Sequence, residues 1–383
     1  MKLAAPWMQH PGTRAVMQAI DSAGYQVFFV GGCVRNGLMG RSVDDIDIAT
    51  DARPETVMEL AVRIGARPVP TGLAHGTVTV VASGKAHEVT TFRTDKKSFG
   101  RHAHVAFSTG IAADAGRRDF TINALYARAD GTILDPTKQG LPDLSARRVR
   151  FIGQAEDRIT QDYLRILRFF RFHAWCADPA RRIDADGLAA CAALTSGLEI
   201  LSKERIGAEI KKLLSAPDPS QAVAAMEHSG VLTTVLPGTS ARLLPVLVKR
   251  ERHCRVPPEP IRRLASLAGP VPDDALRLSR AEATAWQRLS DGMTSETDAG
   301  ELGYRHGFET ARDILILRAA ASEQPLSPDQ LARARRGAGA ICPIRAADLM
   351  PRLRGPALGA ALAALEARWI ASDFTLSRSD LLN

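Results

Sequence analysis

The chain has 383 residues, 45% of them hydrophobic and 24% charged, with a formal net charge of +8. That length allows two or three domains with cores of their own, and the composition argues against a disordered or collagen-like chain. No run approaches the roughly 18 apolar residues of a membrane helix, and the five scattered cysteines contain no CxxC pair, which argues against a zinc ribbon or a disulfide framework. The basic balance is compatible with a polyanionic partner without singling one out. The opening MKLAAPWMQHPGTR has no apolar core of secretory length, so a cytoplasmic location is expected.

In chain order, residues 1–24 read as a leading helix ending at Gly24. From Tyr25 to about Pro136, short segments rich in Val, Ile, Thr and Phe read as strands: QVFFV, DIDIAT, GTVTVVA, HEVTTFR and TILDP. With helices between them, they predict an α+β module. From about Glu156 the pattern is helical, in RITQDYLRILRFFRFHAW, SKERIGAEIKKLLSA, PSQAVAAMEHSGVLTTVLP and finally GPALGAALAALEARWIA. No heptad or fixed period runs through it, which excludes a coiled coil or a solenoid. The stretch from Pro237 to Pro272 is Pro-rich and basic, a domain joint or an exposed helical hairpin.

The chemistry concentrates early. In DDIDIA, alternation of a strand turns Asp45 and Asp47 to one face and Ile46 and Ile48 to the other; Asp44 lies off the acidic face. Two carboxylates so close repel unless a cation lies between them, and magnesium suits such oxygens while keeping positions open for phosphate and water. An isolated DxD pattern is more often a solvated strand face. Its neighbourhood raises the odds, because VFFVGGCVRNGLMG reads as strand, Gly31–Gly32 turn and helix, with Arg35 one turn on as a phosphate contact. No GxxxxGK[ST] is present, so this is not a Walker loop.

Glu88 in HEVTTFR is a candidate third carboxylate, balanced against a solvated strand residue. Three acids around two ions would support in-line nucleotidyl transfer. In RRDFTINALYA, Arg117, Arg118, Asp119 and Asn123 are polar residues set in an apolar ladder and need partners. QDYLRILRFFRF spaces Asp162, Arg165, Arg168 and Arg171 at successive i, i+3 positions, which predicts one face of a helix. Taken alone, that is a basic stripe on an amphipathic helix.

Read in order, GGCVRN, DIDIAT, HGTVTV, EVTTFR, RRDFTINAL and QDYLRILRFFRF resemble the class II family of CCA-adding tRNA nucleotidyltransferases and bacterial poly(A) polymerases. The motif-bearing resemblance runs from about Val27 to Phe172. It implies a polymerase-β-like nucleotidyltransferase head over 1–150, a helical neck over 151–215 and an all-α body and tail over 216–383 that hold tRNA. It implies a two-metal magnesium site on Asp45 and Asp47, with CTP and ATP as substrates, tRNA as partner and no obligate protein partner. By position, Gly31, Gly32 and Arg35 match the triphosphate turn, Arg118 the nucleotide-binding arginine, and Asp119 a ribose contact. Asp162 and Arg165 match the pair that reads the base edge in place of a nucleic-acid template, with Arg168 and Arg171 as neighbouring contacts.

The chain departs from the family where Glu often precedes the templating Asp and Gln161 stands here, and where Asp often follows the first arginine and Asn36 stands here. Gln161 keeps an acceptor oxygen without the charge; Asn36 removes a salt-bridge partner of Arg35. The segment RTDKKSFGRHAH corresponds to the region that helps switch the family from C to A addition. It carries no obvious deletion, which favours complete CCA addition over a CC-only enzyme, with A addition or poly(A) synthesis as the alternative. No His-Asp dipeptide supports an attached phosphohydrolase.

Overall fold

The computed structural model describes every residue except 1, 96–104, 268, 270–272 and 351. Most of RTDKKSFGRHAH therefore lies outside the described residues. The chain divides into two compact units, Met1–Leu201 and Ser202–Asn383.

The first unit carries strands β1 (Val27–Val30), β2 (Ile46–Thr50), β3 (Arg67–Gly72), β4 (Thr77–Ala82), β5 (Lys85–Thr91), β6 (Arg93–Asp95), β7 (Val105–Phe107), β8 (Tyr126–Ala127) and β9 (Ile133–Leu134). Seven of them form one mixed sheet in the order β3-β4-β5-β2-β1-β8-β9, while β6 and β7 pair separately. Among the described residues, only the central β2–β5 pairing is parallel; the other pairings of the main sheet are antiparallel. The sequence reading did not anticipate β3, because RPVPTG holds two prolines; it lies at the sheet edge, where a missing N–H costs no ladder bond.

Helices of this unit are α1 (Pro11–Ser22), α2 (Gly32–Leu38), α3 (Pro54–Arg63), α4 (Ile111–Gly116), α5 (Gly140–Ser145), α6 (Ala155–Gln161), α7 (Leu164–Cys176) and α8 (Ala185–Ala193). The leading helix is shorter than expected: Pro11, which has no N–H to lose, sits in its first turn, and a separate 3-10 turn occupies Pro6–Gln9. Val16, Met17 and Ile20 of α1 are buried, and α1 packs with α3 against the sheet. On the opposite sheet face, Phe28, Val30, Ala49, Phe92, Ala124 and Tyr126 form a buried apolar cluster.

The second unit is helical throughout its described residues: α9 (Lys203–Leu214), α10 (Ser220–His228), α11 (Val231–Val235), α12 (Leu244–His253), α13 (Pro260–Ala265), α14 (Asp273–Leu276), α15 (Arg280–Thr294), α16 (Ala299–His306), α17 (Phe308–Ala321), α18 (Pro328–Gly339), α19 (Ala346–Leu349), α20 (Gly355–Ala371) and α21 (Arg378–Leu382). Helices α16 and α18 approach closely because Gly303 has no side chain; a Cβ there would lie 2.0 Å from the carbonyl oxygen of Ala334. A separate cluster of Ile344, Trp369, Ile370 and Leu381 closes the C-terminal end. Among the described residues, no helix is long and apolar enough to cross a membrane.

Candidate active site

Asp47 lies in β2 between Ile46 and Ile48, both buried, and strand alternation turns its carboxylate to the other face. In the parallel register of β2 with β5, Asp47 stands opposite Glu88, so the two acids rise from the same face. Asp45 lies just before β2; it and Glu88 are exposed, while Asp47 is half-buried. Burial first, then the charges of Glu88 and Asp45, push the Asp47 carboxyl up to about 6 against the opposing pull of Arg118 and Arg35.

A cation beside this face would relieve the repulsion. Among the described residues, no group of three or more His, Cys, Asp or Glu is arranged to hold a metal ion by itself. Asp47 and Glu88 present carboxylate oxygens from one face, the donor type that a hard divalent cation takes. The acidic face fits such an ion.

Opposite the acids is the Gly31–Gly32 turn. Gly31 has φ +70° and ψ −120°, a conformation that a side chain disfavours. A Cβ on Gly31 would lie 3.3 Å from Arg118 Nη1 and 3.9 Å from Asp47 Oδ2; one on Gly32 would lie 3.9 Å from Asp47 Oδ2 and 4.0 Å from Arg35 Nη2. Glycine thus keeps the backbone open where a carboxylate and two guanidiniums meet. Helix α2 has only seven residues, so the positive charge at the turn comes mainly from Arg35 and Arg118 and less from the helix dipole.

Arg118 is clamped from behind. The buried carboxylate of Asp114 accepts from Arg118 Nη2 at 3.0 Å, from Arg117 Nε at 2.9 Å and from the Tyr126 hydroxyl at 2.7 Å, while Arg118 Nε donates to the Tyr126 oxygen at 3.1 Å. Burial pulls the Arg118 pKa down, but Tyr126 and Asp114 outweigh it and raise the pKa above its ordinary value. The sequence reading missed Asp114 and Tyr126; the i, i+4 spacing of Asp114 and Arg118 was the available signal.

A second relay joins Arg35, Asn123, Asp119 and Arg168. Arg35 Nη1 donates to Asn123 Oδ1, and Asn123 Nδ2 donates to Asp119 Oδ1 at 3.0 Å. The backbone N–H of Phe120 also donates to Asp119 Oδ1 at 2.8 Å, and Arg168 Nε donates to Asp119 Oδ2 at 2.7 Å. Burial raises the Asp119 pKa, yet Arg168 and these hydrogen bonds win and hold it at about 2. Asn36 stays engaged with Arg35 although it carries no charge: its Oδ1 accepts from Arg35 Nε at 3.1 Å and Nη2 at 2.8 Å.

The expected continuous helix through QDYLRILRFFRF is broken. Asp162 has φ −157° and ψ 104°, ending α6 in extended backbone, and its carboxylate accepts from Leu164 N at 3.2 Å at the start of α7. Asp162 therefore does not share a helix face with Arg165, Arg168 and Arg171; an Asp side chain competes for backbone N–H and favours such a junction. Arg165 Nη1 donates to Gln161 Oε1 and the Arg158 carbonyl at 3.0 Å each, and Nη2 to the Arg117 carbonyl at 2.9 Å. Gln161 thus fastens Arg165 through a neutral acceptor.

Residues 27–150 match the family described as "Poly A polymerase head domain", and residues 182–243 match "Probable RNA and SrmB- binding site of polymerase A". A CCA-adding enzyme of Levilactobacillus brevis is 39% identical over 57% of this chain and 53% of its own length; the mitochondrial CCA tRNA nucleotidyltransferase 1 of Mus musculus is 36% identical over 73% of this chain and 64% of its own. The chain spans about half to two thirds of the length of these curated relatives. The structure of a Bacillus stearothermophilus CCA-adding enzyme in complex with CTP is 28% identical, with a TM-score of 0.77 over 97% of this chain and 94% of that one.

Over residues 27–150 and 182–243 the chain is similar to the CCA-adding enzymes and poly(A) polymerases. A Thermotoga maritima CCA-adding enzyme complexed with tRNA_CCA, 18% identical, shares the fold with a TM-score of 0.71 over 99% of this chain and 95% of that one. The family pairs a polymerase head with helical domains, and as a nucleotidyltransferase family it generally uses divalent metal.

Proposed function

We propose that this chain is a CCA tRNA nucleotidyltransferase, adding C, C and A from CTP and ATP to the tRNA 3′ end with release of pyrophosphate and without a nucleic-acid template. The observation that carries this reading is the acidic face of Asp47 and Glu88 opposite the Gly31–Gly32 turn, with Arg118 Nη1 beside Gly31. Likeness over nearly the whole chain to a CCA-adding enzyme in complex with CTP supports it.

Asp45 and Asp47 are the residues we assign to magnesium, with Glu88 as a third carboxylate. When bound, such ions supply activation of the attacking hydroxyl and charge neutralisation on the leaving pyrophosphate. The remaining work belongs to the chain. Gly31 and Gly32 admit the triphosphate, Arg35 and Arg118 neutralise it, and Asp119 with Asn123 fixes the relay beside the ribose. Asp162 and Arg165 present an acceptor and donors to the base edge, which a carboxylate and a guanidinium can do by bidentate hydrogen bonding. Arg168 and Arg171 complete the nucleotide contacts.

The working division is a head over 1–150, a neck over 151–215 and a tRNA-holding body and tail over 216–383. The reading includes a cytoplasmic location; several matched relatives are mitochondrial, so fractionation of tagged protein is the check.

The decisive experiment supplies tRNA ending before CCA, after C and after CC, each with CTP or ATP alone. The expected products are one or two C additions from CTP and a single A from ATP on the CC end. Use of ATP alone to build a long tail would assign the chain to poly(A) synthesis instead.

A further inference from the structure

Among the charged groups of this site stands one apolar side chain, Phe172. The ring of Phe172, in α7, has three guanidinium groups around it: Arg171 at 4.1 Å from the ring centroid, Arg35 at 4.9 Å and Arg168 at 5.1 Å. Arg168 precedes Phe172 by one helical turn, whereas Arg35 comes from α2 across the head. Three like charges within reach of one ring repel one another. Burial first, then Arg171 and Arg168, pull the Arg35 pKa below its ordinary value, with Cys176 and Asp119 opposing them.

The negative face of an aromatic ring attracts guanidinium groups while adding no counter-charge. Asp119 already holds Arg168, and a second carboxylate in place of the ring would compete with an incoming anion. Phe172 is also held firmly: it is buried and meets Phe120 edge-on at 5.4 Å, and Phe120 packs on Phe151 at 4.9 Å, itself stacked on Phe169 at 5.3 Å. The ring is the outer end of a packed aromatic core, so its orientation is fixed before any ligand arrives.

We propose that Phe172 is a positioning residue that gathers Arg35, Arg168 and Arg171 around its ring as a preorganised receptor for the polyphosphate of the incoming nucleotide; this rests on the nucleotidyl-transfer reading. Inorganic tripolyphosphate isolates the effect, since it presents the charge without base or ribose. Its binding to the full chain is measured by calorimetry for wild type, Phe172→Leu, Phe172→Tyr and Phe151→Leu, alongside KM and kcat for CTP and ATP and the melting temperature of each.

Phe172→Leu keeps an apolar side chain and removes the ring, so tripolyphosphate affinity drops about tenfold and nucleotide KM rises by a similar factor, with kcat held within about twofold. Phe172→Tyr keeps the ring face and stays within about twofold of wild type. Phe151→Leu removes a ring that packs on Phe120, one step further from the arginines, and weakens tripolyphosphate binding by less than Phe172→Leu does. Wild-type affinity in Phe172→Leu, equal loss in Phe151→Leu, or no tripolyphosphate binding by the wild type overturns the proposal. A chain that binds tripolyphosphate through Phe172 yet transfers no nucleotide overturns only the parent reading.

Discussion

Two clusters of charge in this protein, one deeply buried and one half open to water, are built on different plans. In the second unit, Glu251 is almost fully buried and accepts from Arg262 Nε at 2.9 Å and Nη2 at 2.8 Å, and from Arg263 Nε at 2.9 Å and Nη2 at 2.7 Å. Arg262 Nη1 continues to Asp313 at 2.9 Å, and Arg263 Nη1 caps the Leu214 carbonyl at 2.6 Å. Each charge meets an opposite charge or a backbone acceptor, so the network stitches α9, α12, α13 and α17 together. In the first unit like charges also stand side by side: Asp47 faces Glu88, and three guanidiniums, one of them held by Asp119, share the Phe172 ring. A satisfied network rigidifies; a frustrated one is completed by what binds to it.

The sharpest way to break this contrast is to remove one acid from each cluster. Asp47→Ala should reduce nucleotide addition by about 10³-fold or more, at or beyond the loss from deleting one transition-state donor, while tRNA binding persists because no basic contact is touched. Parallel loss of binding and addition in a gel-shift and extension assay would reassign Asp47 to the scaffold. Glu251→Ala should act the other way, costing about 3–5 kcal/mol of stability by stranding two buried guanidiniums. An unchanged denaturation midpoint for Glu251→Ala would mean that the arginines find other partners.

Acid and base dependence separates the clusters further. The Asp47 pKa is raised to about 6 from 3.8, so the folded chain holds a proton that the unfolded chain has released between those values. Stability therefore falls as pH rises through that window, and the metal-free protein carries the full cost above it, up to about 3 kcal/mol. Asp119 has the opposite sign. Held at about 2, it contributes stability that is present above the unfolded value of 3.8 and is lost as pH falls toward 2. Asp47→Asn should stabilise the metal-free chain at about pH 7.5 more than at about pH 5; equal shifts in urea unfolding at the two values would contradict the raised pKa.

The strands and glycine turn of the head were legible because each rests on local rules: alternation in DIDIAT, and a Gly pair between an apolar run and a helix. What escaped depended on the third dimension. RPVPTG became a strand because an edge position forgives proline, a fact of sheet order that no local pattern carries. The break at Asp162 escaped because the i, i+3 spacing of its arginines continues across it, while the extended backbone of one residue decides the geometry. Phe172 is buried, and its contact with Arg35 comes from a helix more than a hundred residues away in sequence.

The smallest expected effect tests how the frustrated cluster treats its selecting arginine. Arg165 is tied to Gln161 and to the carbonyls of Arg158 and Arg117, neutral acceptors that orient a guanidinium without strengthening its charge. Gln161 is exposed, so Gln161→Glu would add a charge-assisted hydrogen bond screened by water, about 1 kcal/mol or less. Held more firmly, Arg165 should discriminate better, raising the preference for CTP and ATP over UTP and GTP by roughly fivefold at most, with little change in rate on the correct nucleotide. Arg165→Ala should move selectivity in the opposite direction, since it removes the donors altogether. If all four nucleotides are used in unchanged proportion by both variants, base selection does not run through Arg165, and its tether to the Arg117 carbonyl is a structural brace for the loop that carries Arg118.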